Sequence, residues 1–341
     1  MEYPQPVPLD QIGFGLCIAV GSALTAPLGT KALRRWNIRT IRWIFLIALV
    51  VAAIFVFTAL PDRNSHLEWN VATVAVLILL GGVMGFLAGL LGIGGGMILV
   101  PFLSFLFTMY GFDSSVVVHI AIATSMATIL FTSLSSVRAH HKRGAVRWDI
   151  VMTLAPGILL GGILGGGKLF AILKTSWLSF IFAGFVSFSA YQMLMNKKPK
   201  PSRTLPGKPG MFGVGSFIGF LSSLVGAGGG FVSVPFMTWC NVSMHNAVAT
   251  SAALGFPIAL SSAIGYIISG YGNPSLPEGS LGYVYLPALT SIAVASVLTA
   301  PLGAKAAHQL NVGQLKKIFA IVLFCLAAYM LHKGLSSLGL Y

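Results

Sequence analysis

A seventeen-residue stretch occurs twice in this chain, as GFLAGLLGIGGGMILVP over residues 85–101 and as GFLSSLVGAGGGFVSVP over 219–235. Ten of the seventeen positions are identical, at a constant offset of 134 residues. Unrelated glycine loops would not hold that register, so the chain is an internal duplication. In each copy an apolar run meets Gly-x-Gly-Gly-Gly and a second apolar run follows at once. Glycine costs about 1 kcal/mol per residue against alanine inside a helix, so four glycines in five positions open the backbone. Within a bilayer, opened backbone is tolerated only where protein buries it or water reaches it. Both turns are therefore candidate parts of a binding site.

A bilayer is the implied solvent because 56% of the 341 residues are apolar, only 8% are charged, and the mean hydropathy is +0.88. Soluble domains carry roughly 25% charged residues. The net charge of +14 comes from short basic clusters between apolar runs, which read as topology signals and not as a nucleic-acid surface. Cys17, Cys240 and Cys325 all lie in apolar segments without a CxxC pair, so neither a structural disulfide nor a metal site is expected, and no cofactor is implied. The opening residues, MEYPQPVPLDQ, lack a basic n-region and a small-residue cleavage site, so the first helix is expected to stay in the mature chain.

Spanning helices need about 20 mainly apolar residues. The candidates are 12–30, 43–60, 116–137, 150–168, 175–195, 247–270, 283–303 and 316–333. The runs 71–91 with 97–110, and 211–225 with 231–240, read as helical hairpins with the glycines at their turns. Basic residues cluster in 31–42, 138–147, 196–210 and 304–317, whereas the 271–282 stretch has none. By the positive-inside rule the basic segments are cytoplasmic, and both termini face out. Each hairpin with its three crossings makes an odd number of passages, so the two copies are expected to be inverted in the membrane. The fold expected is an all-α polytopic membrane protein with a first repeat over 69–195, a cytoplasmic linker over 196–210 and a second repeat over 211–341. The segment 1–68 is an extra helix pair: LTAPLGTKA at 24–32 matches LTAPLGAKA at 298–306 in eight of nine positions, as a partial third copy would.

The helices starting near Met97 and Phe231 present unpaired N–H groups and a partial positive charge at their N-termini. Inversion would aim both inward and make a site for an anion. The candidate ligating positions are Gly92, Gly94, Gly95, Gly96 and Met97 in the first copy, with Gly226, Gly228, Gly229, Gly230 and Phe231 in the second. The competing reading is close helix packing through small residues, as Gly85-x-x-x-Gly89 would provide. Gly89, replaced by Ser223 in the second copy, is assigned to packing, and alanine there is expected to leave anion affinity nearly unchanged. His119 and His245 head the next helices and precede Thr124-Ser125 and Thr250-Ser251 at matching distances. The hydroxyls are candidates for completing the anion site, and the histidines for carrying a coupled proton or touching the anion. Against this stands a pair of headgroup-level histidines above packing hydroxyls.

The doubled GFxxxLxGxGGGxxxVP element resembles the TauE/SafE sulfite exporter family, also called the 4-toluene sulfonate uptake permease family, over about residues 70–340. That resemblance implies a secondary transporter of a bacterial inner membrane, moving sulfite or an organosulfonate. The helix pair before the first motif departs from the family pattern. An anion channel of the same architecture is the near alternative. A membrane-embedded enzyme is the distant one, since only seven acidic residues exist and no HExxH, GxSxG or paired carboxylate appears. Substrate, direction, coupling ion and oligomeric state are left open by the sequence.

Overall fold

A computed structural model describes residues 71–91, 95–195, 203–307 and 312–338. The helix pair expected within 1–68, and the 196–202 part of the linker, lie outside the described residues. The elements run α1 (Val71–Leu91), α2 (Gly96–Met109), α3 (Val117–His141), α4 (Trp148–Gly166), α5 (Lys168–Ile172), α6 (Thr175–Met195), α7 (Lys208–Val225), α8 (Gly230–Trp239) and α9 (Met244–Gly270). A two-stranded hairpin, β1 (Ser280–Leu281) with β2 (Val284–Tyr285), precedes α10 (Leu286–Ala307) and α11 (Val312–Ser336). Among the described residues, seven helices are long and apolar enough to cross a membrane: α1, α3, α4 with α5, α6, α9, α10 and α11. At 14 residues, α2 is shorter than a span.

The protein is thus a helical polytopic membrane protein, and its most buried helix is α3, with 83% of its apolar window inside the molecule. Asp113 starts α3, its carboxylate accepting the Ser115 N–H at 2.8 Å while its carbonyl accepts from Val116 and Val117. The same bond, reinforced by the Ser115 hydroxyl, holds the Asp113 carboxyl below the usual carboxylate range. Bulky apolar side chains such as Met152, Leu164, Phe188 and Ile268 point outward, the arrangement expected when hydrocarbon is the solvent.

Two glycine seams set how closely the helices approach. Along α1, Gly81, Gly85 and Gly89 face the backbone of Ile292, Ser296 and Ala300 on α10. Along α4, Gly157, Gly161 and Gly165 face Phe212, Ser216 and Phe220 on α7. Spacing of four puts such glycines on one helix stripe, and without side chains the two backbones can touch. Hydroxyls tie the first seam further: Thr299 donates to the Gly82 carbonyl at 2.7 Å, and Ser135 on α3 donates to the Val297 carbonyl at 2.7 Å.

Several sequence boundaries shift. The stretch 138–141, expected in a loop, is the last turn of α3, which ends where Gly144 takes a φ of 66°. Its basic residues suit a helix C-terminus, and His140 is buried there with its Nε2 3.3 Å from the Gly89 carbonyl. The 150–168 helix is broken at Gly167 and continues as the short α5. Residues 284–285 pair as a strand instead of starting a helix. The expected 304–317 loop is mostly helical, since α10 reaches Ala307 and α11 begins at Val312.

Gly89 is not a forgiving position. A Cβ there would strike the Ala300 carbonyl and lie 2.8 Å from the Ala304 nitrogen. Gly89→Ala should therefore destabilise the protein by about 1–3 kcal/mol, the usual cost of overpacking. Gly184→Ala on α6, where a Cβ meets nothing within 4 Å, should be neutral or slightly stabilising. Thermal unfolding of the two purified variants beside wild type checks the contrast, and equal melting temperatures would remove the seam argument.

Candidate functional site

Each glycine turn ends in a left-handed residue that starts the following short helix. Gly95 has φ 74° and ψ −13°, and Gly229 has φ 72° and ψ −8°. In that region a Cβ is strained. Their carbonyls take the first intrahelical bonds, from Ile98 and Leu99 in α2 and from Val232 and Ser233 in α8. The N–H groups ahead of those, at Gly96, Met97, Gly230 and Phe231, are the donors a helix start leaves without an intrahelical acceptor. Gly92 and Gly94 lie outside the described residues.

The two turns meet although 134 residues separate their matching positions. A Cβ on Gly96 would strike the Gly226 carbonyl and lie 3.0 Å from Ser125 Oγ. Ser125 in turn donates to that carbonyl at 3.3 Å. Gly226 itself caps α7 with φ 70°, its N–H donating to the Ser222 carbonyl at 2.9 Å. The structure therefore brings Gly96, Ser125 and Gly226 to one point where α3 passes between the hairpins. Ser251 belongs to the second turn, where Ser233 on α8 donates to its hydroxyl at 2.9 Å.

The remaining sequence candidates face elsewhere. Thr124 Oγ1 accepts the Tyr285 N–H at 3.0 Å, just ahead of α10, and Thr250 Oγ1 accepts the Arg147 N–H at 3.0 Å, just ahead of α4. Both threonines tether a helix start of the other half. The two histidines are not alike. His119 is buried, with Nε2 2.9 Å from the Leu173 carbonyl and 3.1 Å from that of Phe170, and its ring stacks on Tyr283 at 5.2 Å. Carbonyls only accept, so Nε2 carries the proton and clamps the α5–α6 link to α3. His245 is exposed at the start of α9.

Sequence reasoning missed a small cavity beside the second turn, about 10 Å³ in volume, close to the space of a single water. Its polar lining is Thr132, Ser133 and Ser136 of α3, the Gly228 backbone and Ser251 of α9. Thr132 Oγ1 lies 2.7 Å from Ser296 Oγ and also donates to the Thr128 carbonyl. A signal was present in the sequence: Thr124, Thr128, Thr132, Ser136 and His140 recur every fourth residue, one polar stripe on an otherwise apolar helix. No lining residue is acidic or basic.

Comparison with known proteins identifies a family of membrane proteins. The family model described as Sulfite exporter TauE/SafE matches residues 77–330. A probable membrane transporter protein of Haemophilus influenzae is 38% identical over 265 residues, covering 76% of this chain and 98% of its own length. One from Methanocaldococcus jannaschii is 27% identical, covering 75% and 94% respectively. A third, YunE of Bacillus subtilis, is 27% identical, covering 77% and 98%. No solved structure matches the chain. With most of the chain inside the family model and a long relative at 38% identity, this protein belongs to the TauE/SafE family of membrane proteins.

Proposed function

We propose that the protein is a secondary transporter, not an enzyme, for a small sulfur-containing anion such as sulfite or an organosulfonate. The anion is bound where the two glycine turns meet. The carrying observation is the convergence of Gly96, Gly226 and Ser125 beside two helix starts, within a family named for sulfite export. Helix N-termini favour anions through their free N–H groups and dipoles, and glycine lets a ligand approach the backbone. The backbone at Gly95, Gly96, Met97, Gly230 and Phe231 supplies the donors, with Ser125 and Ser251 adjoining; the Gly229 N–H is taken by the Ala227 carbonyl at 2.8 Å.

Two inverted repeats, 69–195 and 211–341, support that reading. The first hairpin helix of each packs on the fourth helix of the other, α1 on α10 and α7 on α4. The Thr124 and Thr250 bonds are reciprocal in the same way. In this arrangement the chain lies in a bacterial inner membrane with both termini outside and a cytoplasmic linker at 196–210. The unlike settings of His119 and His245 favour a structural clamp at His119 over a matched proton relay.

Topology is read out with single cysteines on a background lacking Cys17, Cys240 and Cys325. The Glu278→Cys variant should react with a membrane-impermeant thiol reagent in intact cells, while Lys142→Cys should be protected until the cells are opened. Labelling of both in intact cells, or protection of both, would undo the inverted arrangement, and the reverse pattern would overturn the orientation.

The site is tested with Gly95→Val and Gly229→Val. Each forces a β-branched residue into left-handed backbone, so each should abolish saturable sulfite flux in proteoliposomes while the protein still inserts and purifies. If both retain wild-type flux, the glycines serve packing alone. Preloading the vesicles with unlabelled sulfite should accelerate entry of labelled sulfite. Lack of that counterflow, with non-saturating flux, would favour the channel.

A further inference from the structure

The Ser136 hydroxyl of α3 is buried at 2% exposure, makes no hydrogen bond, and lines the one-water cavity beside the second glycine turn. A hydroxyl has one proton to donate and two lone pairs to offer. Two of its neighbours in the lining have already spent their protons: Ser133 donates to the Leu130 carbonyl at 3.1 Å, and Thr132 to that of Thr128 at 3.0 Å. What these two can offer the cavity is lone pairs. On α9, Ser251 also lines it, and its Oγ accepts from Ser233. Gly228 lines it with backbone alone, and its carbonyl accepts none of the turn's backbone bonds, which run from Gly229 to Ala227 and from Val232 and Ser233 to Gly229. Four hydroxyls and one glycine's backbone thus border a space for a single small particle.

We infer that this cavity is a sodium site, and that Na+ bound there is coupled to the transported anion. The inference rests on the transport reading above and supplies its coupling ion. Neutral oxygens with lone pairs to give suit a hard cation, and where a spanning helix is broken, unwound backbone carbonyls are the usual ligands of Na+. A bare sodium ion is smaller than a water molecule, so a cavity of this size admits it once its hydration shell is replaced by these oxygens. The anion gains as well. No lining residue is lysine or arginine, and an ion taken out of water is costly to hold unless an opposite charge stands near. Ile129 borders both places: it lines the cavity, and its Cδ1 lies 3.0 Å from where a Cβ on Gly96 would be. A cation in the cavity therefore stands one side chain away from the helix start that meets the anion, and each ion raises the affinity for the other.

The experiment follows uptake of labelled sulfite by the full-length protein in proteoliposomes, in isosmotic sodium, potassium or choline chloride. Wild type should take up sulfite about tenfold faster in sodium than in the other two salts, a factor ordinary for coupled sites. Uptake should saturate with Na+ concentration, and radiolabelled sodium should enter alongside. In detergent the purified protein should melt at a higher temperature in sodium than in potassium. Ser136→Ala should raise the half-saturating Na+ concentration about tenfold, the loss expected for one contact to a charged group, and should erase the melting shift. In potassium the same variant should melt no lower than wild type, because it removes a hydroxyl that makes no bond. Ala252→Val, which fills the cavity from α9, should remove the sodium dependence without touching α3. Ser189→Ala, on α6 and bonded to its own helix, should change nothing.

Equal sulfite uptake in all three salts overturns the sodium site and leaves the transport reading standing. Sodium dependence that survives unchanged in both Ser136→Ala and Ala252→Val overturns this cavity as the seat of the cation and leaves it a place for water alone. Absence of saturable uptake by wild type in every salt overturns the transport reading and the inference together.

Discussion

In hydrocarbon a backbone N–H or carbonyl has no water to turn to, and each unmet group costs several kcal/mol. That constraint decides where this chain can leave helical geometry. The glycine turns break two helices, and where the turns are described they are sheltered, Gly96 against Gly226 and both against α3. The shelter depends on close approach, which depends in turn on the glycine seams between α1 and α10 and between α4 and α7. Larger residues on either seam would separate the hairpins from the helices that cover them and expose the opened backbone.

Hydroxyls perform a second layer of this work. Many serines and threonines on the spanning helices donate to carbonyls of their own helix three or four residues back. A smaller set reaches across: Ser125 to the second turn, Thr124 and Thr250 to opposing helix starts, and Tyr266 to the Ser223 carbonyl. These cross-links fall on α3 and α9, the two helices that run through the centre. Apart from the Tyr266 bond, which stays within the second half, their partners lie in opposite halves of the chain. The site's charge complement comes from backbone dipoles more than from side chains.

Much of this is legible from residue order alone. The doubled glycine element locates both turns, and apolar run lengths locate the helices to within a few residues. Triple glycine reports directly on backbone freedom, so Gly95 and Gly229 stand out by residue type and spacing. What stays hidden is set by partners distant in sequence. Nothing local tells that Ser136 lacks an acceptor while Ser133 has one, or that His119 is buried and His245 exposed. The basic run at 138–141 reads as a loop because charge ordinarily marks the membrane edge, yet His140 turns inward against α1. Gly89 reads as tolerant because serine occupies the matching position in the second copy. On the α7 side Ser223 is accommodated against Gly165, whereas Gly89 faces the Ala300 backbone with no such gap.

The seam between α1 and α10 also bears on how the protein is made. Gly85 and Ser296 are about 200 residues apart in sequence, and ribosomes add roughly 5–20 residues per second. The first hairpin must then wait on the order of 10–40 seconds in the membrane before the helix that covers its glycine stripe emerges from the ribosome. The second seam has no such delay, because α4 is complete about 40 residues before α7 begins. Biogenesis is thus lopsided between the two seams. During that interval the bare stripe of α1 is open to wrong neighbours, and the first half of the chain depends on its own late-arriving end for its final shape.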